Sequence, residues 1–199
     1  PAIPLVEMLD VSANNVLLET DRRINIGGMR QWSLWVHQDF QEFDHGWRLT
    51  SNHSTHRTLE NVRQSCQTTS NDLFFGGYCS LAGNKVHNTI HEIPPGKLIK
   101  IKVRMHLFDK WIGEQLYLKV NDQVVWTYSH SHCSKIFSEF CNDLNVCGDE
   151  RYGDELSHTL EVVLPHTGIT ELKMEFGSTL KGDPCVASWG FDDVMVFVI

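Results

Sequence analysis

The sequence predicts an all-β fold, a sandwich of two antiparallel sheets preceded by an N-terminal strand-forming arm. Residues 191–199 are apolar on both faces apart from Asp192 and Asp193, which is typical of a central strand buried between two layers. Residues 99–107 alternate apolar and polar side chains, which is typical of a strand with one buried face. Helical periodicity is nearly absent, so we expect strands to supply the core.

The same alternation predicts further strands, with turn residues between them. Residues 116–120 continue the pattern, and Asn121-Asp122 supplies a turn before Val124-Val125-Trp126, so a hairpin is expected here. Residues 160–164 and 172–176 predict two more short strands. The turn residues that separate the strands are Gly76-Gly77, Pro94-Pro95-Gly96, Pro165 and Gly168.

The first 36 residues differ from the rest of the chain. Residues 16–18, 24–26 and 32–36 are short strand-like segments, and no cysteine precedes Cys66. We therefore predict a β-prone arm over residues 1–36 and a disulfide-bonded sandwich over residues 37–199. Two alternatives are open for the arm. It adds edge strands to its own domain, or it completes the sheet of a neighbouring subunit by β-strand addition.

Charge and hydrophobicity exclude two classes of partner. The chain has 199 residues, a net charge of −8 and a pI of about 5.7. Because phosphate contacts need clustered Lys and Arg, we expect no nucleic acid as a partner. The apolar runs are too short for a membrane span. A start at Pro1 without a basic, apolar leader is what we expect of a processed chain.

Six cysteines indicate an oxidising compartment. They are Cys66, Cys79, Cys133, Cys141, Cys147 and Cys185. An even number without a C-x-x-C spacing favours disulfides over a zinc or redox site. The sequon Asn52-His53-Ser54 makes Asn52 a candidate for an N-linked glycan, although such tripeptides also arise by chance. We therefore expect a secreted protein, at a cell surface or in an extracellular fibre.

Two sets of motifs resemble known extracellular domains. Asp39-Phe40, Gly46-Trp47 and residues 190–194 resemble the opening strand and closing step of jelly-roll domains of the carbohydrate-binding and MAM type. An ordered series of motifs resembles a β-sandwich unit that recurs in large secreted or surface proteins of protists, ciliates in particular. The series includes Phe75-Gly76-Gly77-Tyr78-Cys79, Phe108-Asp109-Lys110-Trp111-Ile112-Gly113-Glu114, Asn145-Val146-Cys147-Gly148, Phe176-Gly177-Ser178-Thr179-Leu180 and Asp183-Pro184-Cys185. The resemblance covers residues 35–199 and implies a jelly-roll-like, extracellular, non-enzymatic module.

The resemblance also implies a disulfide pattern, since it keeps Cys147-Gly148 and Asp183-Pro184-Cys185 together in one unit. The preferred pairs are Cys147 with Cys185, Cys66 with Cys79, and Cys133 with Cys141, the last of which closes a short loop.

Four carboxylates are candidate ligands for a structural calcium ion. They are Asp109, Glu114, Asp192 and Asp193. They lie at junctions of loops and strands, where calcium finds carboxylate and carbonyl oxygens. Jelly-roll domains that bind calcium often carry a Glu after the opening Asp-Phe. The protist units commonly carry a second Asp after the Trp of the Asp-x-Trp step, which is Asp109-Lys110-Trp111 here. Here Gln41 and Ile112 stand at these positions, which weakens the case for calcium. The alternative is that the four carboxylates form turns and accept backbone N–H bonds.

Aromatic side chains are candidates for stacking on sugar rings. The main candidates are Trp111, Trp47 and Tyr128, and Trp126 and Tyr152 belong to the same set. The alternative is that most of the tryptophans fill the core, as we expect of Trp126 and Trp189. Trp111 lies beside Gly113 in a predicted loop, so it is the tryptophan that we expect to be exposed.

No pattern in the sequence indicates catalysis. The chain has no G-x-S-x-G motif and no Gly-rich phosphate loop. A glycosidase needs a pair of carboxylates, but nothing distinguishes Asp109 and Glu114 from ordinary turn residues. We therefore expect a protein that is not an enzyme. The leading hypothesis is a structural or adhesive subunit that assembles with copies of itself into a filament or surface coat through its arm. The alternative is a lectin-like carbohydrate-binding module.

Overall fold

The structure, a computed structural model, describes residues 25–26, 29–42, 45–50, 63–64, 73–132 and 144–199. The chain divides into two compact units, Pro1–Gln31 and Trp32–Ile199. In the first unit, β1 (Asn25–Ile26) pairs with β2 (Met29–Arg30) in antiparallel fashion. Most of the predicted arm lies outside the described residues, so its role stays a prediction.

Every regular element described in the second unit is a β-strand. The strands are β3 (Ser33–Gln38), β4 (Arg48–Thr50), β5 (Arg63–Gln64), β6 (Phe74–Leu81), β7 (Lys85–Ile90), β8 (Leu98–Asp109), β9 (Ile112–Val120), β10 (Gln123–Ser131), β11 (Glu155–Pro165), β12 (Leu172–Ser178) and β13 (Ala187–Val198). A five-stranded sheet has the order β10-β9-β12-β7-β4. A six-stranded sheet has the order β11-β8-β13-β6-β5, with β3 also paired to β13. The neighbouring strands are antiparallel, which confirms the predicted all-β fold with two antiparallel sheets.

β13 occupies the centre of the six-stranded sheet, as its apolar run predicts. One of its edges pairs with β8. The other edge pairs with β6 at residues 189–191 and then with β3 at residues 194–198. Trp189, Phe191 and Val194 are fully buried. β3 spans the boundary that the sequence placed at residue 36, so the sheet of the second unit begins with residues assigned to the arm.

The core is built around Phe191. Its ring centroid lies 4.8 Å from those of Trp47 and Phe176, and 5.3 and 5.4 Å from those of Phe75 and Phe40. All five side chains are at most 1% exposed, and burying an aromatic of this size contributes about 1.5–3 kcal/mol. The Asp39-Phe40 and Gly46-Trp47 motifs therefore place their aromatic members in the sandwich core.

The predicted hairpin is confirmed as β9 and β10. Val120 pairs with Gln123 across the two-residue turn. Asn121 and Asp122 have φ angles of 48° and 66°, which is the left-handed conformation that a type I′ turn requires and that Asn and Asp tolerate. This turn fixes the register of β9 and β10, and thereby which of their side chains face the solvent.

Candidate functional site

Asp192 and Asp193 lie in a β-bulge of β13, where this strand has one residue more than β8. Asp192 is 1% exposed and accepts a hydrogen bond from Arg104. Asp193 lies 3.2 Å from Arg104 Nε and 3.1 Å from His37 Nε2. Burial raises the pKa of Asp192 to about 6, although the Asp193 N–H and Arg104 oppose the shift. Both carboxylates therefore have partners from the protein itself.

Asp109 ends β8 and holds the loop of residues 144–154 in place. Its Oδ1 accepts the N–H of Asp149 at 2.7 Å, and its own N–H donates to Asp154 Oδ1 at 3.0 Å. Asp154 Oδ2 accepts the N–H groups of Val146 and Cys147 at 2.8 and 3.0 Å. Burial raises the pKa of Asp109 to about 6, and the Asp154 carboxylate adds to this shift against the Asp149 hydrogen bond. The two carboxyl groups thus anchor a loop.

Glu114 lies near the start of β9, where its Oε2 accepts the N–H of Ile112 at 2.7 Å. Across the described ranges, no group of three or more His, Cys, Asp or Glu side chains is placed to hold a metal ion. The four candidate carboxylates contact Arg104, His37 or backbone N–H groups instead. The predicted calcium ion therefore has no ligand set in this part of the chain.

The disulfide between described cysteines joins Cys79 of β6 to Cys185. The preferred pairs of Cys66 with Cys79 and of Cys147 with Cys185 are therefore wrong. The physical reason is the sheet order, because β6 runs beside β13 and Cys185 lies just before β13. Cys147 is also disulfide-bonded. The other cysteines and the sequon asparagine lie outside the described residues, namely Cys66, Cys133, Cys141 and Asn52.

Trp111 and Trp47 are 0% and 1% exposed, so neither presents a ring face to solvent. Trp111 Nε1 donates to the carbonyl of Ser188 at 3.2 Å, and Trp47 Nε1 donates to Gln38 Oε1 at 2.8 Å. The expectation that Trp111 is exposed is wrong, because its indole turns inward against β13. Trp189 fills the core as expected.

Tyr128 belongs to an edge cluster where β10 and β11 end the two sheets, formed by Trp126, Tyr128, His130, Glu155 and His158. Tyr128 stacks on His158 with ring centroids 3.7 Å apart, and its Oη donates to Glu155 Oε2 at 2.8 Å. Nδ1 atoms of His130 and His158 each lie 2.9 Å from a Glu155 oxygen. Burial disfavours the charged carboxylate, but these hydrogen bonds outweigh it and lower the pKa of Glu155 to about 2. Burial and the bond to Glu155 raise the pKa of Tyr128 to about 12. His158 already covers one face of the Tyr128 ring, so this face does not stack on a sugar. The contacts of the edge cluster join β10 to β11 instead.

An open groove of about 310 Å³ lies on the outer face of the five-stranded sheet. Its side chains alternate along the strands with those that enter the core. Thr50 comes from β4, His87 from β7, Lys173 and Glu175 from β12, and Lys119 from β9. His87, Glu175 and Lys119 form one row across three neighbouring strands. We call this surface the sheet groove.

Tyr117 lies next to the sheet groove, two residues before the groove residue Lys119 on β9, and it pairs with Gly177 of β12. A Cβ at position 177 would overlap the phenol oxygen of Tyr117. The missing side chain therefore lets the half-buried Tyr117 ring lie over the sheet. Lys119 Nζ lies 5.4 Å from the centroid of this ring. Burial raises the pKa of Tyr117, with the Glu175 carboxylate adding to the shift, so the phenol keeps its donor hydrogen.

Neither Tyr117 nor Gly177 is among the site residues that the sequence predicts. One signal was present, because Tyr117 stands between the buried Leu116 and Leu118 and alternation therefore turns its side chain outward. The signal was incomplete, since the importance of Gly177 depends on the register of β9 against β12.

No known protein-family profile and no curated protein matches the chain. Several solved structures are similar in fold. The CBM22-1 xylan-binding domain of Xyn10C from Paenibacillus barcinonensis is 12% identical, with 84% of this chain and 96% of that chain covered and a TM-score of 0.44. The mannan-recognising carbohydrate-binding module TmCBM27 is 9% identical, with 85% and 99% covered and a TM-score of 0.41.

A third similar structure is dimeric latent PorU from Porphyromonas gingivalis. It is 13% identical to this chain, with 83% of this chain covered and a TM-score of 0.47. The chain spans 13% of the length of PorU. At these identities and TM-scores the likenesses carry no argument about function, and the resemblance to protist surface units stays a prediction. No helix in the described ranges is long and apolar enough to span a bilayer.

Proposed function

We propose that the protein is a carbohydrate-binding module that holds its ligand in the sheet groove. The observation that carries this proposal is an open groove beside an aromatic ring laid on a sheet, with polar side chains from four strands converging on it. Binding sites for small polar molecules combine an apolar surface with a few placed hydrogen-bonding groups. A groove on a rigid sheet is also pre-organised, which lowers the entropic cost of binding.

Each part of the sheet groove has a role in this proposal. The ring of Tyr117 offers an apolar face to the C–H groups of a sugar ring. Thr50, His87 and Lys173 offer hydrogen-bonding groups to hydroxyls along the groove. Thr50 Oγ1 and His87 Nδ1 lie 2.9 Å apart and orient each other. The side chains belong to strands whose pairing fixes their spacing, so the groove selects for ligand shape.

The test is a glycan array followed by titration calorimetry with the full chain. We expect Tyr117→Ala to weaken binding about fivefold, since losing an aromatic contact costs on the order of 1 kcal/mol. Tyr117→Phe keeps the ring and should retain affinity. Tyr78→Ala, a change at a half-buried tyrosine of β6 outside the sheet groove, is the matched control. An array without glycan binding, or equal losses in Tyr117→Ala and Tyr78→Ala, would refute the proposal.

We place this function outside the cell. Support comes from the disulfide between Cys79 and Cys185, since such bonds persist in oxidising compartments. An N-linked glycan at Asn52 fits the same compartment. Mass spectrometry of native material checks the disulfide and the glycan, and a reduced Cys79 would contradict this placement.

A second candidate function is assembly with copies of this chain. β3 favours it, because Leu34 and Trp35 on this strand are 52% and 44% exposed. Trp35 is the extra residue where the register of β3 against β13 shifts. Negative-stain microscopy should show filaments or oligomers of the full chain, and fewer of them after removal of residues 1–31 or in Trp35→Ser. Monodisperse single particles of the full chain would exclude assembly.

A further inference from the structure

The sheet groove differs in charge from the rest of the protein. The chain carries a net charge of −8. On the outer face of the five-stranded sheet, cationic side chains outnumber carboxylates. The cations are Arg48, Lys85, Lys119 and Lys173, and the carboxylates are Glu175 and Asp122. His87 lies among them. Positive charge is therefore concentrated where the proposed ligand would lie.

The strand register places two ammonium groups around a single carboxylate. Glu175 Oε1 lies 3.1 Å from Lys119 Nζ and 3.8 Å from Lys85 Nζ. One carboxylate cannot neutralise two ammonium ions, so this row keeps surplus positive charge. The hydrogen bond with Glu175 raises the pKa of Lys119, which keeps its ammonium charged at neutral pH.

Lys173 adds a further cation one step along β12. It is exposed, and it pairs with Thr89 in the sheet register. No ion pair of Lys173 with another described residue is present. Its ammonium is thus available to a ligand at the end of the sheet groove.

Resting on the carbohydrate-binding function proposed above, we propose that the ligand of the sheet groove is an anionic polysaccharide, one that carries carboxylate or sulfate groups. A row of sugar rings brings acidic groups at regular intervals to Lys85, Lys119 and Lys173, while Tyr117 contacts a ring face. A nucleic acid is disfavoured, because single-stranded nucleic acids are held by several aromatic side chains on which successive bases stack, whereas Tyr117 is the one such ring that we assign to the sheet groove.

The experiment compares three groups of probes by titration calorimetry on the full chain. Polygalacturonate carries carboxylates and dextran sulfate carries sulfates, whereas xylan and mannan are the neutral probes. We expect at least one anionic probe to bind more tightly than both neutral ones, with an affinity that falls as salt is raised. Polygalacturonate against dextran sulfate then distinguishes the two kinds of acidic group.

Charge variants of the sheet groove test the assignment. In the double variant Lys85→Gln with Lys173→Gln, we expect the anionic probe to bind about 5- to 20-fold more weakly. The reason is that losing one exposed ion pair weakens affinity by up to about fivefold, and two are lost. Lys102→Gln with Lys181→Gln changes the net charge equally but outside the sheet groove, and should leave affinity unchanged.

Glu175→Gln should raise the affinity for the anionic probe rather than lower it. Removing the carboxylate that competes for Lys85 and Lys119 should tighten binding of the anionic probe about threefold. A variant that only damages the fold would not improve binding.

The outcomes separate the two proposals. Binding of xylan or mannan at least as tight as that of the anionic probes overturns the anionic ligand but leaves the carbohydrate-binding function standing. Binding of no polysaccharide overturns both. Single-stranded DNA that binds as tightly as the best polysaccharide, with the same loss in the lysine variant, also overturns the anionic polysaccharide as the ligand.

Discussion

Replacing Asp109 by Asn should remove a pH-dependent contribution to stability. The Asp109 carboxyl is 1% exposed, and its Oδ2 is buried without a hydrogen-bond partner among the described residues. A Cβ on Gly148 would overlap this oxygen, which shows how closely the loop covers it. Asn keeps an oxygen that can accept the N–H of Asp149, and it cannot ionise.

The magnitude follows from the pKa of Asp109, which burial raises from 3.8 to about 6. The native protein holds this proton up to about pH 6, whereas the unfolded chain releases it near pH 3.8. Stability from this group is therefore present below pH 3.8 and is lost as pH rises through 6. A shift of about two units corresponds to about 3 kcal/mol. Between pH 3.5 and pH 7.5, Asp109→Asn should gain about this much stability relative to the unchanged protein.

Urea unfolding followed by tryptophan fluorescence, with the disulfides intact, measures this difference at each pH. The comparison between variant and unchanged protein is needed because His106 acts in the opposite direction. Burial lowers the pKa of His106 to about 4, and the Arg104 charge adds to this effect, so its contribution is lost as pH falls from 6.5 through 4. Glu150→Gln, at an exposed carboxylate of the same loop, is the control. A difference between Asp109→Asn and the unchanged protein that stays constant across this range would refute the reasoning.

Three further predictions concern groups that hold the sandwich together. Arg104→Met leaves the buried Asp192 without its cation, so it should lower the free energy of unfolding by about 2–3 kcal/mol at pH 7.5. The loss should be smaller at pH 4.5, where Asp192 is protonated. An equal loss at both pH values in urea unfolding would contradict this. Peptide mapping without reduction should recover a Cys79–Cys185 peptide, and replacing both cysteines by Ser should cost about 2–5 kcal/mol because the bond spans 106 residues. Trp111→Ala should lower the free energy of unfolding by about 3–5 kcal/mol, because it opens a cavity, while the folded fraction keeps its glycan affinity. A fully stable variant that no longer binds glycan would contradict the burial of Trp111.

The sequence predicted features that depend on local patterns. The apolar character of β13 on both faces placed it in a sheet centre, and Asn121-Asp122 identified the β9–β10 hairpin. Both conclusions need only side-chain periodicity and the φ preferences of turn residues.

Features that depend on contacts distant in sequence were not predicted. Arg104 and Asp192 are neighbours only through the pairing of β8 with β13, so the carboxylate looked free to bind calcium. Trp111 is flanked by turn residues, and nothing local indicates that its indole turns inward to β13. The pairing of Cys79 with Cys185 likewise follows from the sheet order, which cysteine spacing does not encode.

The place of β13 also sets the order in which the chain can fold during synthesis. β3, β6 and β8 all precede β13, yet each of them pairs with it. Until residues 187–198 have left the ribosome, these three strands lack their shared neighbour, and the apolar side chains of β8 have no closed core to enter. Such long-range pairing is slow and leaves strand edges exposed to other chains in the meantime. The nascent sandwich is therefore more exposed to aggregation until β13 is made.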